Sequence, residues 1–322
     1  LSELAGSIGM EAAARRWRRV HQAVIDLDRR IRVLDLPCGW APRPELYLAG
    51  SRLDEVGLRK EGQARQAAGL PSAFLEAGEV AGRFDIAARA ALLSDAAFEV
   101  DPVALTLSLL AMARRRGASL TFPINVSDVE PQALGARLRF DGGGELTAGQ
   151  VVLATGYEAA RADLPEAFTL GSSFAIATAP GVAPRWAQKA MIWEASDPYL
   201  YARQTADGRV IVGGEDEDLV DAVARDAMIA DKATILKRKA ERMLDSRPLE
   251  IDCAWAATFG SSPDGLPAIG RARSNRSLWL ASGFGGNGVS FASLAADLIC
   301  AELSGAPDPG ATDFDPYRFE AG

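Results

Sequence analysis

The feature that most constrains the fold is a glycine-rich turn at residues 283–288, which read Gly-Phe-Gly-Gly-Asn-Gly. The apolar residues 277–281 predict a strand before this turn, and residues 289–303 predict a helix after it. Glycines let a ligand approach the backbone closely, and a helix N-terminus presents free N–H groups and a positive dipole end. The turn therefore indicates an α/β fold and suits an anionic or electron-rich group, the alternative being a turn that serves packing alone.

The same turn matches the dinucleotide pattern G-x-G-x-x-G, but its wider context does not. A Rossmann unit needs a second strand after the helix and an acidic residue about 20 positions further on. Only 34 residues follow Gly288, and they end in a tail rich in proline and aspartate. We therefore do not interpret the turn as the opening of a Rossmann unit.

Other segments predict an alternation of helices and strands. The apolar run at 151–156 predicts a strand buried on both faces that ends in a turn of small residues. A helix is predicted over residues 9–34, and another is predicted to start at Pro102, with Asp101 as its cap and Gly117 as its terminator. A strand at 119–124 and a β-hairpin at 199–212 complete the pattern.

The composition excludes several classes of function. The formal net charge of −8 disfavours binding to nucleic acid or to an anionic membrane, and no segment approaches the roughly 20 apolar residues of a membrane span. The three cysteines are widely spaced and no secretion signal is visible, so we expect a cytoplasmic protein.

His21 is the only histidine. A multi-histidine metal site is therefore impossible, and a Ser-His-Asp triad would need a distant serine. We predict no metal site, and we expect a cofactor to carry whatever reaction the protein catalyses.

Four segments in order resemble the D-amino-acid oxidase family of FAD-dependent oxidoreductases, which includes glycine, sarcosine and γ-glutamylputrescine oxidases. They are the strand and turn at 151–156, the hairpin at 199–214, the Pro-Asp-Gly-Leu-Pro-Ala-Ile-Gly run at 263–270, and the glycine turn at 283–288. The resemblance covers essentially the whole sequence. It also implies a βαβ unit ahead of Leu1, which this sequence does not contain.

The resemblance implies roles for particular residues. Val126 matches the position whose backbone meets the adenine of FAD. The turn near the pyrophosphate and ribose corresponds to Ala154, Thr155 and Gly156. The turn whose amides face the flavin pyrimidine corresponds to Gly285, Gly286, Asn287 and Gly288. A helix N-terminus there would stabilise the negative charge of a reduced flavin.

The implied chemistry is hydride transfer from a substrate amine or amino acid to FAD. Arg203 is the candidate for binding a substrate carboxylate, and Tyr201, on the same strand face, is the candidate pocket wall. The alternatives are a surface arginine and a core tyrosine. Trp255 and Phe259 either cover the flavin or fill the core.

Two further features bear on the site. Some relatives attach FAD through a cysteine seven residues before the aspartate of the Pro-Asp element, but that position is Ala257 here, so we expect non-covalent FAD. The acidic run at 215–218 could attract a polyamine or another cation. We interpret it instead as a solvated loop after a strand.

These observations predict an α/β (α+β) flavoprotein with two domains. A discontinuous FAD-binding domain of the two-dinucleotide-fold type would comprise residues 92–165 and 256–322, and a mixed or antiparallel-sheet substrate domain would comprise residues 1–91 and 166–255. The predicted function is oxidation of an amine or amino acid at a C–N bond, with oxygen as acceptor. The alternatives are a dehydrogenase with another acceptor and a non-catalytic binding protein on the same scaffold.

Overall fold

A computed structural model describes residues 1–157, 164–183, 186–245 and 248–320, except for the side chain of Ala96. The chain divides into two compact units. The first comprises residues 1–18, 41–99 and 170–258, and the second comprises residues 19–40, 100–169 and 259–322. These boundaries differ from the predicted domains most at residues 19–40, which pack within the second unit, and at residues 92–99, which pack within the first. Residues 166–169 and 256–258 also fall in the other unit.

The first unit is built on a mixed sheet. Within the described residues, eight strands lie in the order β12-β8-β11-β10-β9-β1-β3-β2. Their bounds are β1 Ala41–Leu48, β2 Ala73–Leu75, β3 Ala91–Glu99, β8 Thr169–Thr178, β9 Met191–Glu194, β10 Leu200–Gln204, β11 Val210–Glu217 and β12 Ile251–Ser261. Strands β10 and β11 pair antiparallel, as the hairpin pattern predicts, whereas β1 and β9 run parallel.

The described part of the first unit also contains helices. They are α1 Ser2–Ile8, α3 Glu55–Ala67, α4 Ala77–Phe84, α6 Ala222–Ala227 and α7 Ile229–Met243, and a short 3₁₀ turn forms at Ala187–Lys189. On one face of the sheet, the alternating residues Leu46, Leu48, Leu200 and Ala202 join α7 in the main core. The residues between them, such as Tyr201, therefore belong to the opposite face.

The second unit contains two three-stranded sheets. The bounds of its strands are β4 Val126–Pro131, β5 Ala136–Phe140, β6 Glu145–Ala148, β7 Val151–Leu153, β13 Ala268–Arg271 and β14 Leu278–Ser282. The described sheets have the orders β13-β14-β7 and β4-β5-β6. The helices are α5 Pro102–Arg115 and α8 Gly288–Leu303, and a 3₁₀ turn spans Ala311–Phe314. Helix α2, Met10–Val33, carries residues of both units.

Helix α5 forms as the sequence predicts. The Asp101 carboxylate accepts hydrogen bonds from the amides of Val103 and Ala104, both at 2.9 Å. This satisfies two of the free donors at the helix N-terminus. Pro102 occupies the first position, and Gly117 has a φ of 98° just past the C-terminal end.

Two strand predictions in this unit were wrong in detail. Residues 119–124 form no strand; Pro123 lacks a ladder donor, and Leu120 and Phe122 are exposed. The strand that follows α5 is β4, which starts at Val126. Strand β7 is also not buried on both faces. It lies at the edge of its described sheet, and Val152 is 43% exposed.

Candidate functional site

The two turns predicted to contact FAD lie side by side in the second unit. Strands β7 and β14 are parallel, with Leu153 paired to Leu280, so both strands end at the same edge of the sheet. The Ser282 hydroxyl then donates a hydrogen bond of 3.0 Å to the carbonyl oxygen of Gly156. Residues 154–156 and 283–288 therefore form one surface beyond the carboxyl ends of parallel strands, where ligands of α/β sheets commonly bind.

The glycine turn is anchored on its inner side. Gly283 has a φ of 69°, and a Cβ there would lie 2.7 Å from the ring of Phe168. The amide of Gly285 donates to the carbonyl oxygen of Gly260 at 2.8 Å. Phe284 packs edge to face on Phe291 of α8, with ring centroids 6.3 Å apart. The turn is therefore fixed by its own unit.

The outer side of the same turn is open. A Cβ at Gly156 or Gly288 would meet nothing within 4 Å, and one at Gly285 would come no closer than 3.8 Å to another atom. Gly286 and Asn287 are exposed, and no side chain caps the N-terminus of α8. Open backbone beside a helix N-terminus fits an electron-rich ring or a phosphate, so these residues fit FAD.

Val126 stands apart from this surface. It opens β4 in the other three-stranded sheet, where it pairs with Phe140, and it is 43% exposed. The sequence placed it at the end of a strand that does not form. A role for Val126 beside the adenine remains a prediction.

A residue that the sequence did not indicate supports the Pro-Asp-Gly-Leu-Pro turn. Arg318 donates to both carboxylate oxygens of Asp264, at 2.7 and 2.9 Å, and to the carbonyl oxygens of Leu266 and Pro267. The two charged side chains are only 6% and 5% exposed. Burial alone would raise the pKa of Asp264, but the hydrogen bonds and charge of Arg318 outweigh it and hold that pKa below its usual value. Arg318 lies 54 residues away, so no local motif could reveal this pair.

Aromatic side chains form the second candidate group, on the outer face of the large sheet of the first unit. Trp193 lies 5.6 Å from Tyr201 and 6.5 Å from Tyr199 between ring centroids, and the two tyrosine rings are 6.1 Å apart. Strand register brings them together, because Tyr201 pairs with Trp193 on β9 and with Gly213 on β11. The Tyr201 ring lies over Gly213, and a Cβ on Gly213 would come within 2.6 Å of that ring.

Asp216 adds a carboxylate to these rings. Burial and then the negative charge of Asp216 raise the pKa of both Tyr199 and Tyr201. Burial also raises the pKa of Asp216, against hydrogen bonds from Ser173 and Tyr199. The two phenols are therefore neutral at physiological pH. We call Trp193, Tyr199, Tyr201 and Asp216 the aromatic–acid group.

The acidic run differs from the predicted solvated loop. Strand β11 continues to Glu217, Glu215 is 5% exposed, and its carboxylate is paired with Lys239. Asp216 is half-buried. Pairing with β8 draws these residues into the sheet, because Glu217 is in register with Ser172.

Arg203 follows Tyr201 on the same face but is not a free arginine. Its Nη1 lies 3.5 Å from Glu99, and the same carboxylate lies 2.6 Å from Nη2 of Arg43. One carboxylate thus balances one of two guanidinium charges, and the trio retains a single positive charge. The Arg203 side chain is 36% exposed, so it can still meet a solute.

Further observations concern the exposed residues of β12, metal binding and membrane insertion. Cys253 is exposed on β12, and Trp255 is 40% exposed on the same strand. Among the described residues, no group of three or more His, Cys, Asp or Glu side chains could hold a metal ion. None of the described helices combines the length and apolarity that crossing a bilayer requires.

The model of the family DAO, described as FAD dependent oxidoreductase, matches residues 4–302. A segment of 55 residues is 38% identical to the tRNA 5-methylaminomethyl-2-thiouridine biosynthesis bifunctional protein MnmC of Polaromonas naphthalenivorans. That match spans 17% of this chain and only 9% of the MnmC protein.

Two solved structures share the fold at low identity. Glycine oxidase from Geobacillus kaustophilus superposes with a TM-score of 0.74 at 20% identity, over 92% of this chain and 80% of that one. L-proline dehydrogenase from P. horikoshii gives a TM-score of 0.78 at 20% identity, over 94% and 83% of the two chains. The predicted α/β flavoprotein fold is confirmed.

Proposed function

Because this chain belongs to the DAO family of FAD-dependent oxidoreductases, we propose that it oxidises an amine or amino acid at a C–N bond. The second unit would hold FAD at residues 154–156 and 285–288, and the first unit would supply the residues that bind the substrate. Bound FAD would supply the two-electron acceptor for that oxidation. Oxygen is the proposed final acceptor.

The observation that carries the proposal is the aromatic–acid group. Ring faces attract ammonium groups, and a nearby carboxylate adds a second attraction. The raised pKa values of Tyr199 and Tyr201 keep both rings neutral. Three rings in mutual contact beside Asp216 therefore favour a ligand with a protonated amino group.

The position of Arg203 favours an amino acid over a simple amine as the substrate. The single positive charge shared by Arg43, Glu99 and Arg203 suits one carboxylate, and guanidinium groups bind carboxylates through paired hydrogen bonds. We propose that Arg203 orients an amino-acid substrate and that Tyr201 forms the wall beside it. Each would act by binding and orienting the substrate.

The test compares oxidation of amino acids and of the matching decarboxylated amines by the full-length holoenzyme. We expect Arg203→Ala to raise KM for amino acids about 10- to 100-fold, the value of a charged hydrogen bond, and to leave amines unaffected. Arg209→Ala, which removes a hairpin arginine paired with Asp207 and Asp252, is the matched control. Peroxide formation would support oxygen as the acceptor, and dye reduction without peroxide would favour a dehydrogenase.

Two results would oppose the proposal. If amino-acid oxidation by Arg203→Ala were undiminished, Arg203 would not belong to the site. If the wild-type holoenzyme oxidised no amine at all, a non-catalytic binding protein on this scaffold would be the better account.

A further inference from the structure

A cleft of about 360 Å³ opens in the first unit, on the side of the sheet away from the aromatic–acid group. Leu48 and Met243 line it, and both belong to the main core on the face opposite Tyr201. The cleft lies beyond the carboxyl ends of the parallel strands β1 and β9.

The floor of the cleft is fixed by two loops that hydrogen-bond to each other. The amide of Arg52 donates to the carbonyl oxygen of Ala195 at 2.8 Å. The amide of Ser51 donates to the Ser196 hydroxyl at 3.0 Å, and the amide of Asp197 donates to the Ser51 hydroxyl at 3.1 Å. The loops therefore hold the cleft in shape before any ligand arrives, which reduces the entropic cost of binding.

These contacts leave hydrogen-bond donors without acceptors. Ser51 and Ser196 each accept a backbone hydrogen bond, but neither hydroxyl proton has an acceptor within the described ranges. The Nε of Arg89 is buried and also lacks a partner there. Ser51 is exposed and Ser196 is partly exposed, so water can satisfy their hydroxyls in the free protein. Buried donors are normally satisfied, so the buried Nε of Arg89 beside these two hydroxyls indicates a ligand that supplies acceptor oxygens.

The charged side chains around the cleft also favour a charged ligand. Arg89 pairs with Glu194 at 2.7 Å, and Lys239 pairs with Glu215. In the part of the chain that the structure describes, Arg242 has no such carboxylate partner, and the Asp197 carboxylate has no cationic one. Both residues are exposed, so the rim of the cleft presents one positive and one negative charge to solvent and to any ligand.

We propose that this cleft binds a small amino acid in its zwitterionic form. The carboxylate of the amino acid would accept hydrogen bonds from Arg89, Ser51 and Ser196 and would lie near the positive charge of Arg242. The ammonium group of the amino acid would pair with the Asp197 carboxylate. A phosphate dianion fits less well, because Asp197 would repel its second charge. Since the cleft is separate from the aromatic–acid group, this binding does not depend on the oxidation proposed above.

The test is anaerobic titration calorimetry on the full-length holoenzyme. The probes are glycine, L-proline, L-glutamate and D-alanine, with acetate, methylammonium and inorganic phosphate as single-group comparisons. Arg242→Gln removes the unmatched guanidinium, and Arg238→Gln, an exposed arginine on the same helix, is the matched control. Because the proposed substrate site on the outer face of the sheet would also bind these amino acids, every titration is made in a Tyr201→Ala/Arg203→Ala background, so that the heat measured comes from this cleft.

We expect at least one amino acid to bind more tightly than acetate or methylammonium. Arg242→Gln should weaken that binding about 10-fold or more, and Arg89→Gln should do the same, whereas Arg238→Gln should leave it unchanged. Unaltered binding in Arg242→Gln, equal weakening in Arg238→Gln, preference for phosphate, or no binding by any probe would each overturn the proposal.

Discussion

The hydroxyl of Ser282 donates a hydrogen bond to the carbonyl oxygen of Gly156 across 126 residues of sequence. This bond ties together the two turns that the family resemblance assigned to FAD. It also uses the Ser282 proton inside the protein, so Ser282 supports the turns and need not contact a ligand.

Ser282→Ala should therefore weaken FAD binding without removing it. Losing one neutral hydrogen bond costs about 1 kcal/mol, which corresponds to about a fivefold higher Kd for FAD. Flavin fluorescence during titration of the apoprotein measures this. Ser304→Ala removes a similar bond, to the carbonyl oxygen of Cys300 at the far end of α8, and should leave the Kd unchanged. An equal effect of both variants would show that the Ser282 bond has no special role.

Gly285→Ala should separate backbone strain from ligand contact. Gly285 has a φ of 52° and open space on its outer side, and Gly305 has a φ of 76° with equally open surroundings. Either alanine should cost about 1 kcal/mol of unfolding free energy, because left-handed backbone disfavours a Cβ. Only Gly285→Ala should also raise the Kd for FAD, by about tenfold or more, since its Cβ would occupy space needed by the cofactor.

If the two glycine variants lose the same stability and bind FAD equally well, the turn at 283–288 is a packing turn only, as one interpretation of the sequence allows.

The pair of Asp264 and Arg318 should make stability depend on pH in the acid range. The folded state lowers the pKa of Asp264 below its usual value near 3.8, so the folded state favours the ionised form. The resulting stability is complete above that usual pKa and is lost as pH falls through the lower, folded pKa. Urea unfolding between pH 6 and pH 2 should show a shallower acid loss for Asp264→Asn than for wild type.

Two variants complete that experiment. Asp226→Asn removes an exposed carboxylate paired with Arg225 and should keep the wild-type pH dependence, because surface ion pairs contribute little. Arg318→Met removes the guanidinium from the buried Asp264 carboxylate, which keeps hydrogen bonds from the Ser262 hydroxyl and the Leu266 amide, and should cost about 3 kcal/mol at neutral pH. A wild-type acid profile in Asp264→Asn would mean that this pair does not contribute to the pH dependence.

FAD should be bound without a covalent link. The position at which some relatives attach FAD is Ala257, and Cys253 lies four residues earlier, exposed on β12. Acid precipitation of the holoenzyme should release all the flavin into the supernatant, for wild type and for Cys253→Ser alike. Flavin that stays with the wild-type precipitate but leaves the Cys253→Ser precipitate would identify a covalent bond.

Local signals in the sequence predicted much of the fold. The apolar periodicity of residues 9–34 matches α2, and the cap and terminator of α5 lie where Asp101 and Gly117 indicated. The resemblance drawn from four short motifs is confirmed by the family match over residues 4–302. Such signals succeed because caps, turns and periodicity depend on neighbours within a few residues.

Contacts between distant segments could not be predicted in the same way. The strand expected at 119–124 has the right alternation but forms no strand. Trp193 joins the aromatic–acid group only because the register of β9 and β10 sets it beside Tyr201. The partner of Asp264 lies 54 residues away in Arg318. Pairing of this kind is decided by tertiary structure, which one sequence does not encode as a local pattern.

The most direct test of the account is the absorbance spectrum of the purified full-length protein, recorded without oxygen before and after addition of single amines and amino acids. We expect a flavin spectrum whose visible band is bleached by at least one of them and returns when oxygen is admitted. A protein that holds no flavin after reconstitution with FAD, or a flavin band that no amine or amino acid bleaches, would contradict it.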